Sequence, residues 1–453
     1  MKFKNTVYYL LSLIIIEKIE TYNPKSLIIN THQMKVFKFG GASINSVDRF
    51  KNTANIISGF QNQKILMVVS AMGKTTNSLE KVVENFCSEN NEIAHNLFEQ
   101  IKNNHLDTLK YLITKDWQKA TSQLKDFFTE VEWLLHDKPV RNYDYYYDQM
   151  VCCGELMSSS LLYHFLLENK INAHWLDARD IIKTDNNFRD ANIHWEITNA
   201  NVQEIILPLF ENHDIIITQG FIGSTDENES VTLGREGSDY TAAVFANLLN
   251  SESVTIWKDV DGVMNADPKK IKDTAILHSL SYSEVIEMAY YGAQVIHPKT
   301  IKPLQNKNIP LFVKSFIHPT IEGTEISKVQ SKNLPPIIVN KENQVLIEFK
   351  SKDFSFVEGA PIQFLHELCK DIKINPNITQ NTAISILCCF DFHEEKLNLL
   401  AEKASEIFDV SLEKNLELIT IRHYNYESIE NYISNKLVLL EQKTTQTIQV
   451  VIR

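Results

Sequence analysis

Residues 215–223 read IIITQGFIG. Three consecutive β-branched residues without polar alternation suit a strand buried on both faces, and the glycines after it mark a loop at the strand's end. Further short apolar runs lie at Val36–Phe39, Ile65–Ala71, Ala173–Leu176, Val254–Trp257 and Leu311–Lys314. Between them run amphipathic stretches at Val47–Ser58, Glu155–Asn169, Asn201–Asn212, Tyr240–Leu249 and Ser283–Ala293. Strands alternating with helices predict an α/β fold, a mostly parallel sheet sandwiched by helices. From Leu79 to about Asp137 there is no strand signal, so this charge-laced stretch is expected to be inserted helices.

The texture changes after Ser327, and Pro335-Pro336 marks a linker. Beyond it, Val345–Phe349 (strand), Pro361–Lys370 (helix) and Ala383–Phe390 (strand) form one expected β-α-β unit. Lys396–Phe408 (helix), Leu416–Ile421 (strand), Tyr426–Ser434 (helix) and Thr447–Ile452 (strand) form a second. At the other end, Val7–Ile16 is an apolar run about half as long as the ~20 residues of a membrane-crossing helix. No small-residue cleavage site follows it, so a secretory leader is not expected. Met34 opens the pattern KVFKFG, and translation is expected to start there. The expected organisation is therefore an extension over 1–33, a catalytic domain over 34–327 and a regulatory region over 336–453.

The chain has 453 residues, a formal net charge of -12 and only 13 glycines. Average usage near ~7% would give roughly 30, so each glycine that remains is informative. The acidic balance argues against a nucleic-acid footprint, which needs clustered Lys and Arg. Six cysteines without C-x-x-C spacing fit neither a zinc site nor a disulfide framework, and reduced thiols in a cytoplasmic protein are expected. Gly73-Lys74-Thr75 is not a P-loop, because Val68 stands where the first glycine is required. Asp259-Val260-Asp261-Gly262 places its glycine too early for an EF-hand.

Three segments carry the chemistry. Lys38-Phe39-Gly40-Gly41-Ala42-Ser43 ends the first strand with two glycines that let backbone N–H groups approach an anion, beside a lysine. Leu233-Gly234-Arg235-Glu236-Gly237-Ser238-Asp239 sets an arginine between glycines before a helix, a placement suited to bidentate capture of a carboxylate or phosphate. Trp257-Lys258-Asp259-Val260-Asp261-Gly262, running on to Lys269, puts polar groups at the end of a buried strand, which suits nucleotide recognition.

KFGGAS, VVSAMGKTTN, GELMSS, TQGFIG, LGREGSDYTAA, WKDVDGVMNADP and GAQVIHP occur in this order between about residues 35 and 326. The series resembles the aspartate kinases of the amino-acid kinase superfamily, and the tail resembles their paired ferredoxin-like ACT domains. No dinucleotide-binding pattern follows the tail, so a homoserine dehydrogenase fusion is not expected. The resemblance implies transfer of the γ-phosphate of ATP to the side-chain carboxylate of L-aspartate, the first step towards lysine, threonine and methionine. It implies Lys38 and Asp239 as catalytic residues, and Thr76, Glu155, Arg235 and Ser238 as contacts of the amino acid. It implies Lys38, Gly40, Gly41, Ser43, Lys258, Asp259, Lys269 and Gln294 as the ATP contacts. Mg2+ is expected to arrive with ATP, without a protein metal site. A homodimer or higher homo-oligomer through the ACT region is implied, with no nucleic-acid or membrane partner.

Several positions depart from the family pattern. Ala42 stands where many relatives carry threonine, Met264 where tyrosine is frequent and Gln294 where lysine is frequent. In the first ACT unit Gly359-Ala360-Pro361 replaces Gly-Phe-Leu and Ile374-Asn375 replaces Val-Asp, so feedback by lysine is not expected. Two other readings fit parts of the sequence: a kinase of glutamate or N-acetylglutamate, and a degenerate kinase serving as an amino-acid-sensing subunit.

Overall fold

The computed structural model describes residues 34–60, 62–330 and 333–453, so the expectations for 1–33 lie outside the described residues. Among the described residues of the first part of the chain lie ten strands: β1 (Met34–Phe39), β2 (Lys64–Val69), β3 (Ala173–Trp175), β4 (Ile215–Gln219), β5 (Ile222–Ser224), β6 (Ser230–Thr232), β7 (Ser253–Lys258), β8 (Ser279–Ser281), β9 (Leu311–Ser315) and β10 (Thr324–Ser327). Eight build one sheet in the order β3-β4-β2-β1-β7-β9-β10-β8, while β5 and β6 pair as a separate hairpin. Every neighbouring pair in the large sheet is parallel except β9 with β10. The α/β expectation holds, with one antiparallel junction added.

The isoleucine triplet shows why such a sheet needs covering on both sides. Ile215 and Ile217 point into one core with Phe37, Phe39, Met67 and Trp257. Ile216 points into the other with Val36, Leu66, Val68 and Val254. Alternate side chains of a strand face opposite ways, so both faces of β4 must be apolar. The first core is closed by α1 (Val47–Ser58), α2 (Thr75–Cys87), α3 (Asn91–Leu112), α4 (Trp117–His136) and α5 (Tyr143–Glu168), and the second by α6 (Gly237–Leu249) and α7 (Tyr282–Tyr290). Helices α2, α3 and α4 fill the stretch expected as inserted helices.

Helix α5 is longer than its expected core. Its N-cap Asn142 accepts a hydrogen bond from the Tyr145 N–H, so the helix starts well before Glu155. By length and composition it would cross a membrane, but 89% of its most apolar window is buried within the fold. It is a central core helix, apolar all round because neighbours surround it.

The tail departs from two β-α-β units placed in series. Strands β11 (Ile337–Ser351), β12 (Ile378–Asn381), β13 (Ser385–Asp391), β14 (Phe408–Arg422), β15 (Val438–Lys443) and β16 (Thr447–Ile452) form one antiparallel sheet, ordered β12-β13-β11-β14-β16-β15. Helices α8 (Ala360–Ile372), α9 (Glu394–Ala404) and α10 (Tyr426–Ile433) connect them. The 15-residue strands β11 and β14 run through both halves and pair along their length. The second half of β11 with α8, β12, β13, α9 and the start of β14 makes a complete ferredoxin-like ACT unit. The first half of β11 joins the end of β14, β15 and β16 in the other. The helix expected to reach Phe408 ends at Ala404, because Phe408 is buried as the first residue of β14.

The tail sheet meets helix α7 of the first part through a buried ion pair. Arg422 on β14 donates from Nε and Nη2 to the two carboxylate oxygens of Glu284 on α7, at 2.7 and 2.9 Å, and from Nη1 to Glu287 at 3.1 Å. Both members of the central pair are under one-tenth exposed.

Candidate active site

Parallel strands leave a crevice beyond their C-terminal ends, where the loops diverge. Here the ends of β1, β2, β4 and β7 open onto a cavity of about 520 Å3 whose lining includes Lys38, Gly41, Thr76, Glu155, Arg235, Ser238, Asp239 and Lys258. Eight of the sequence-nominated residues, separated by up to 220 positions in the chain, thus share one space.

Local packing puts them there. A Cβ on Gly41 would lie 2.7 Å from the Ala71 carbonyl oxygen and 2.8 Å from that of Gly73, so only glycine allows the first loop to press against the second. A Cβ on Gly220 would lie 2.5 Å from the Ser238 Cβ, so glycine lets the start of α6 settle on the end of β4. That seating presents Ser238 and Asp239, in the first turn of α6, to the cavity.

The charges are arranged in order. Asp239, 3% exposed, has Oδ1 2.6 Å from Lys38 Nζ and Oδ2 3.9 Å from Lys258 Nζ. Burial pushes its carboxyl up, but the two lysines outweigh burial and hold it below the usual carboxylate range. Lys258 Nζ also donates to the Val295 carbonyl at 2.7 Å. Glu155 is 3% exposed and its Oε2 has no hydrogen-bond partner among the described residues. Burial raises its carboxyl to about 8, against backbone N–H donors and the more distant Lys38. Arg235 is exposed at the mouth. The cavity therefore holds a shared Lys–Asp–Lys centre, a buried carboxyl without a cation and an arginine open to solvent.

Five nominated residues do not line this space. The Ser43 hydroxyl, fully buried, donates to the Gly40 carbonyl at 2.6 Å and closes the turn after β1. Gly40 lies beside the Lys38 amine. Asp259, Lys269 and Gln294 are exposed on the loops that follow β7 and α7. Conversely, Tyr147, Arg189, Phe221, Thr232 and Glu236 line the cavity without having been singled out. Tyr147 lies two helical turns before Glu155 on α5, a spacing that signals a shared face. Arg189 is one of only seven arginines in the chain, and that scarcity is the signal that could have found it.

Among the described residues, no group of three or more His, Cys, Asp or Glu side chains is placed to hold a metal ion. The one carboxylate at the centre, Asp239, is already engaged by lysines. This donor set fits a cation carried by phosphate oxygens and water rather than one caged by protein.

Residues 33–315 match the model of the amino acid kinase family. The chain is 31% identical over 364 residues to the lysine-sensitive aspartokinase 3 of Escherichia coli, covering 79% of this chain and 78% of that enzyme. It is 28% identical over 406 residues to a chloroplastic bifunctional aspartokinase/homoserine dehydrogenase 2 of Zea mays, covering 87% of this chain but 43% of that protein. The chain thus spans less than half the length of these bifunctional relatives. The structure superposes on E. coli aspartokinase III in complex with aspartate and ADP with a TM-score of 0.77 and 25% identity, over 92% of this chain and 96% of that one.

Proposed function

The chain belongs to the aspartokinases of the amino acid kinase family, and from that membership we propose that it transfers the γ-phosphoryl group of MgATP to the side-chain carboxylate of L-aspartate, giving 4-phospho-L-aspartate. One observation carries the reading: a single cavity joins the Lys38–Asp239–Lys258 centre to an uncompensated buried carboxyl, Glu155, and an open guanidinium, Arg235. These are the complements of a phosphoryl group, an α-ammonium and an α-carboxylate. Residues 34–327 carry the reaction in this proposal, and 336–453 form the regulatory region.

The nucleophile is a carboxylate, ionised at neutral pH, so the reaction needs no strong general base. Catalysis is then positioning and charge stabilisation. Lys38 and the Gly41 N–H face the transferring phosphoryl oxygens, while Asp239 fixes the Lys38 amine. Glu155 takes the substrate ammonium and Arg235 its α-carboxylate, with Thr76 and Ser238 at the sides. This grip turns the β-carboxylate towards Lys38. Gly40, Ser43, Lys258, Asp259, Lys269 and Gln294 are assigned to the nucleotide side, where the exposed loops that carry Asp259, Lys269 and Gln294 have room to fold over ATP. Mg2+ bound to the phosphates supplies further neutralisation of their charge.

A homodimer or higher homo-oligomer through the tail is part of the proposal, supported by the open edges of its sheet at β12 and β15. Six unpaired cysteines, five of them buried, support a reducing compartment such as the cytoplasm.

The test is hydroxylamine trapping of acyl phosphate with MgATP and each candidate amino acid. Aspartate-dependent hydroxamate is expected. Hydroxamate formed only with glutamate or N-acetylglutamate, or with none of the three, rejects the reading.

A further inference from the structure

Arg189 has no role in the reading above, yet it lines the same cavity. Its backbone sits at φ 70°, a left-handed conformation that is strained for a side-chain-bearing residue and suits glycine or asparagine. Such strain persists where surrounding structure fixes it, and it clusters at ligand sites. Here the fixing group is Asp148 on α5, fully buried and one face-repeat before Glu155. One oxygen of Asp148 accepts the Arg189 N–H and the Thr232 N–H, each at 2.9 Å, and the other accepts the Thr232 hydroxyl at 2.7 Å.

Asp148 thereby ties together two segments that lie side by side. The Ala191 N–H donates to the Thr232 carbonyl at 3.0 Å. Lys299 Nζ bridges Asp190 at 2.9 Å and the Leu233 carbonyl at 3.1 Å. Arg189 leaves one segment and Arg235 the other, three residues after Thr232. The Arg189 guanidinium lies over the ring of Tyr147, 4.3 Å from its centroid, and its ion-pair partners are the partly exposed Asp144 at 3.3 Å and Glu80 at 3.6 Å. Solvent-screened pairs of that kind stabilise little, so the guanidinium is easily recruited by a stronger anion.

We propose that Arg189 is a second cation of the amino-acid pocket, closing with Arg235 on the α-carboxylate of the substrate. The inference rests on the aspartate-kinase reading and deepens it. Lys38 is engaged by Asp239, and the pocket must hold an amino acid with two carboxylates beside a polyanionic nucleotide. A second planar donor at the mouth supplies charge and fixes which end of the substrate faces the phosphoryl group.

The test compares L-aspartate with its α-amide, which keeps the ammonium and β-carboxylate but carries no α-charge. Wild-type enzyme, Arg189→Gln and Arg189→Gly are compared, the glycine variant because the positive φ accommodates it without strain. The α-amide is used as substrate or as competitive inhibitor of aspartate. Both variants are expected to lose about tenfold in kcat/KM for aspartate, mostly through KM, while α-amide recognition changes less than about twofold and the KM for ATP is unmoved. Arg189→Lys is expected to recover part of the loss. Equal losses for aspartate and the α-amide, or an unchanged aspartate KM in both variants, would overturn the proposal. A wild-type enzyme making no aspartate hydroxamate would sink the parent reading instead, and would do so before any variant is measured.

Discussion

The Lys38 amine and the Asp239 carboxylate lie 2.6 Å apart at the floor of the cavity, though 201 residues separate them in the chain. The first residue comes from the end of β1 and the second from the first turn of α6. Asp239 also stands 3.9 Å from Lys258, so one buried carboxylate fixes two cations where phosphoryl charge would develop. Lys38→Ala is therefore expected to lower kcat by about 10²–10³-fold, with a smaller effect on the KM for aspartate. Asp239→Asn is expected to lower kcat as well, by releasing the lysine. Steady-state kinetics against both substrates checks this, and a Lys38→Ala enzyme with near-normal kcat is the contrary result.

Arg235 acts on binding rather than on the chemical step in this scheme. Arg235→Ala is expected to raise the KM for aspartate by about tenfold or more while kcat stays within a few-fold. An unchanged aspartate KM would remove Arg235 from substrate capture.

Glu155 makes the site's pH dependence specific. With its carboxyl raised to about 8, it is mainly protonated at pH 7 until a cation arrives, and the substrate ammonium favours the ionised form. Aspartate binding at pH 7 is thus expected to release a proton, detectable by titration calorimetry in buffers of different ionisation enthalpy. The sign for stability follows from the same shift. Because the folded-state value lies above the ordinary 4.5, the fold loses stability as pH rises from about 4.5 through 8. Glu155→Gln is expected to stabilise the protein at pH 8 by on the order of 1–3 kcal/mol while abolishing aspartate capture. Thermal unfolding at pH 5 and pH 8 would show it, and a variant less stable at pH 8 would contradict it.

The buried Arg422–Glu284 pair joins β14 to helix α7. Arg422→Met leaves the buried Glu284 carboxylate with only His423, 3.2 Å away, as a basic neighbour, and a loss of about 3 kcal/mol is expected in chemical denaturation. The double variant Arg422→Met, Glu284→Leu is expected to recover most of it, since the uncompensated charge is gone. Burial raises the Glu284 carboxyl, but Arg422 outweighs burial and holds it below its ordinary 4.5. Its contribution is therefore present above about pH 4.5 and lost as pH falls towards the depressed value.

How much was legible beforehand depended on whether a signal was local. The strands β1, β2, β4 and β7 announce themselves, because a strand covered on both faces must be apolar throughout. Helix α1 was read to its ends, Val47–Ser58, because its N-cap Ser46 and the Gly59 beyond it are local signals. The strands β8 and β10, reading SLS and TEIS, were not, since so few residues carry no period and their neighbours in the sheet define them. The tail's two units stand, but their sharing of strands instead of a serial arrangement is illegible for a similar reason. β11 and β14 each serve both halves, and a strand's sharing between partners leaves no mark on its own alternation.

Local sequence carried the layered α/β architecture, the lysine after a buried strand and the arginine between glycines, while the carboxylates Glu155 and Asp239 came from the resemblance to the aspartate kinases. Periodicity and glycine placement are properties of neighbouring residues, and they survive in a one-dimensional reading. Only in the folded chain does Asp239 bridge Lys38 and Lys258, is Glu155 Oε2 left without a hydrogen-bond partner among the described residues, and does Arg189 face the same cavity as Arg235. It also left Asp259, Lys269 and Gln294 on exposed loops outside that cavity. Distance, burial and the loss of solvent arise only when strands far apart in the chain become neighbours, and those quantities set the charge state of each group.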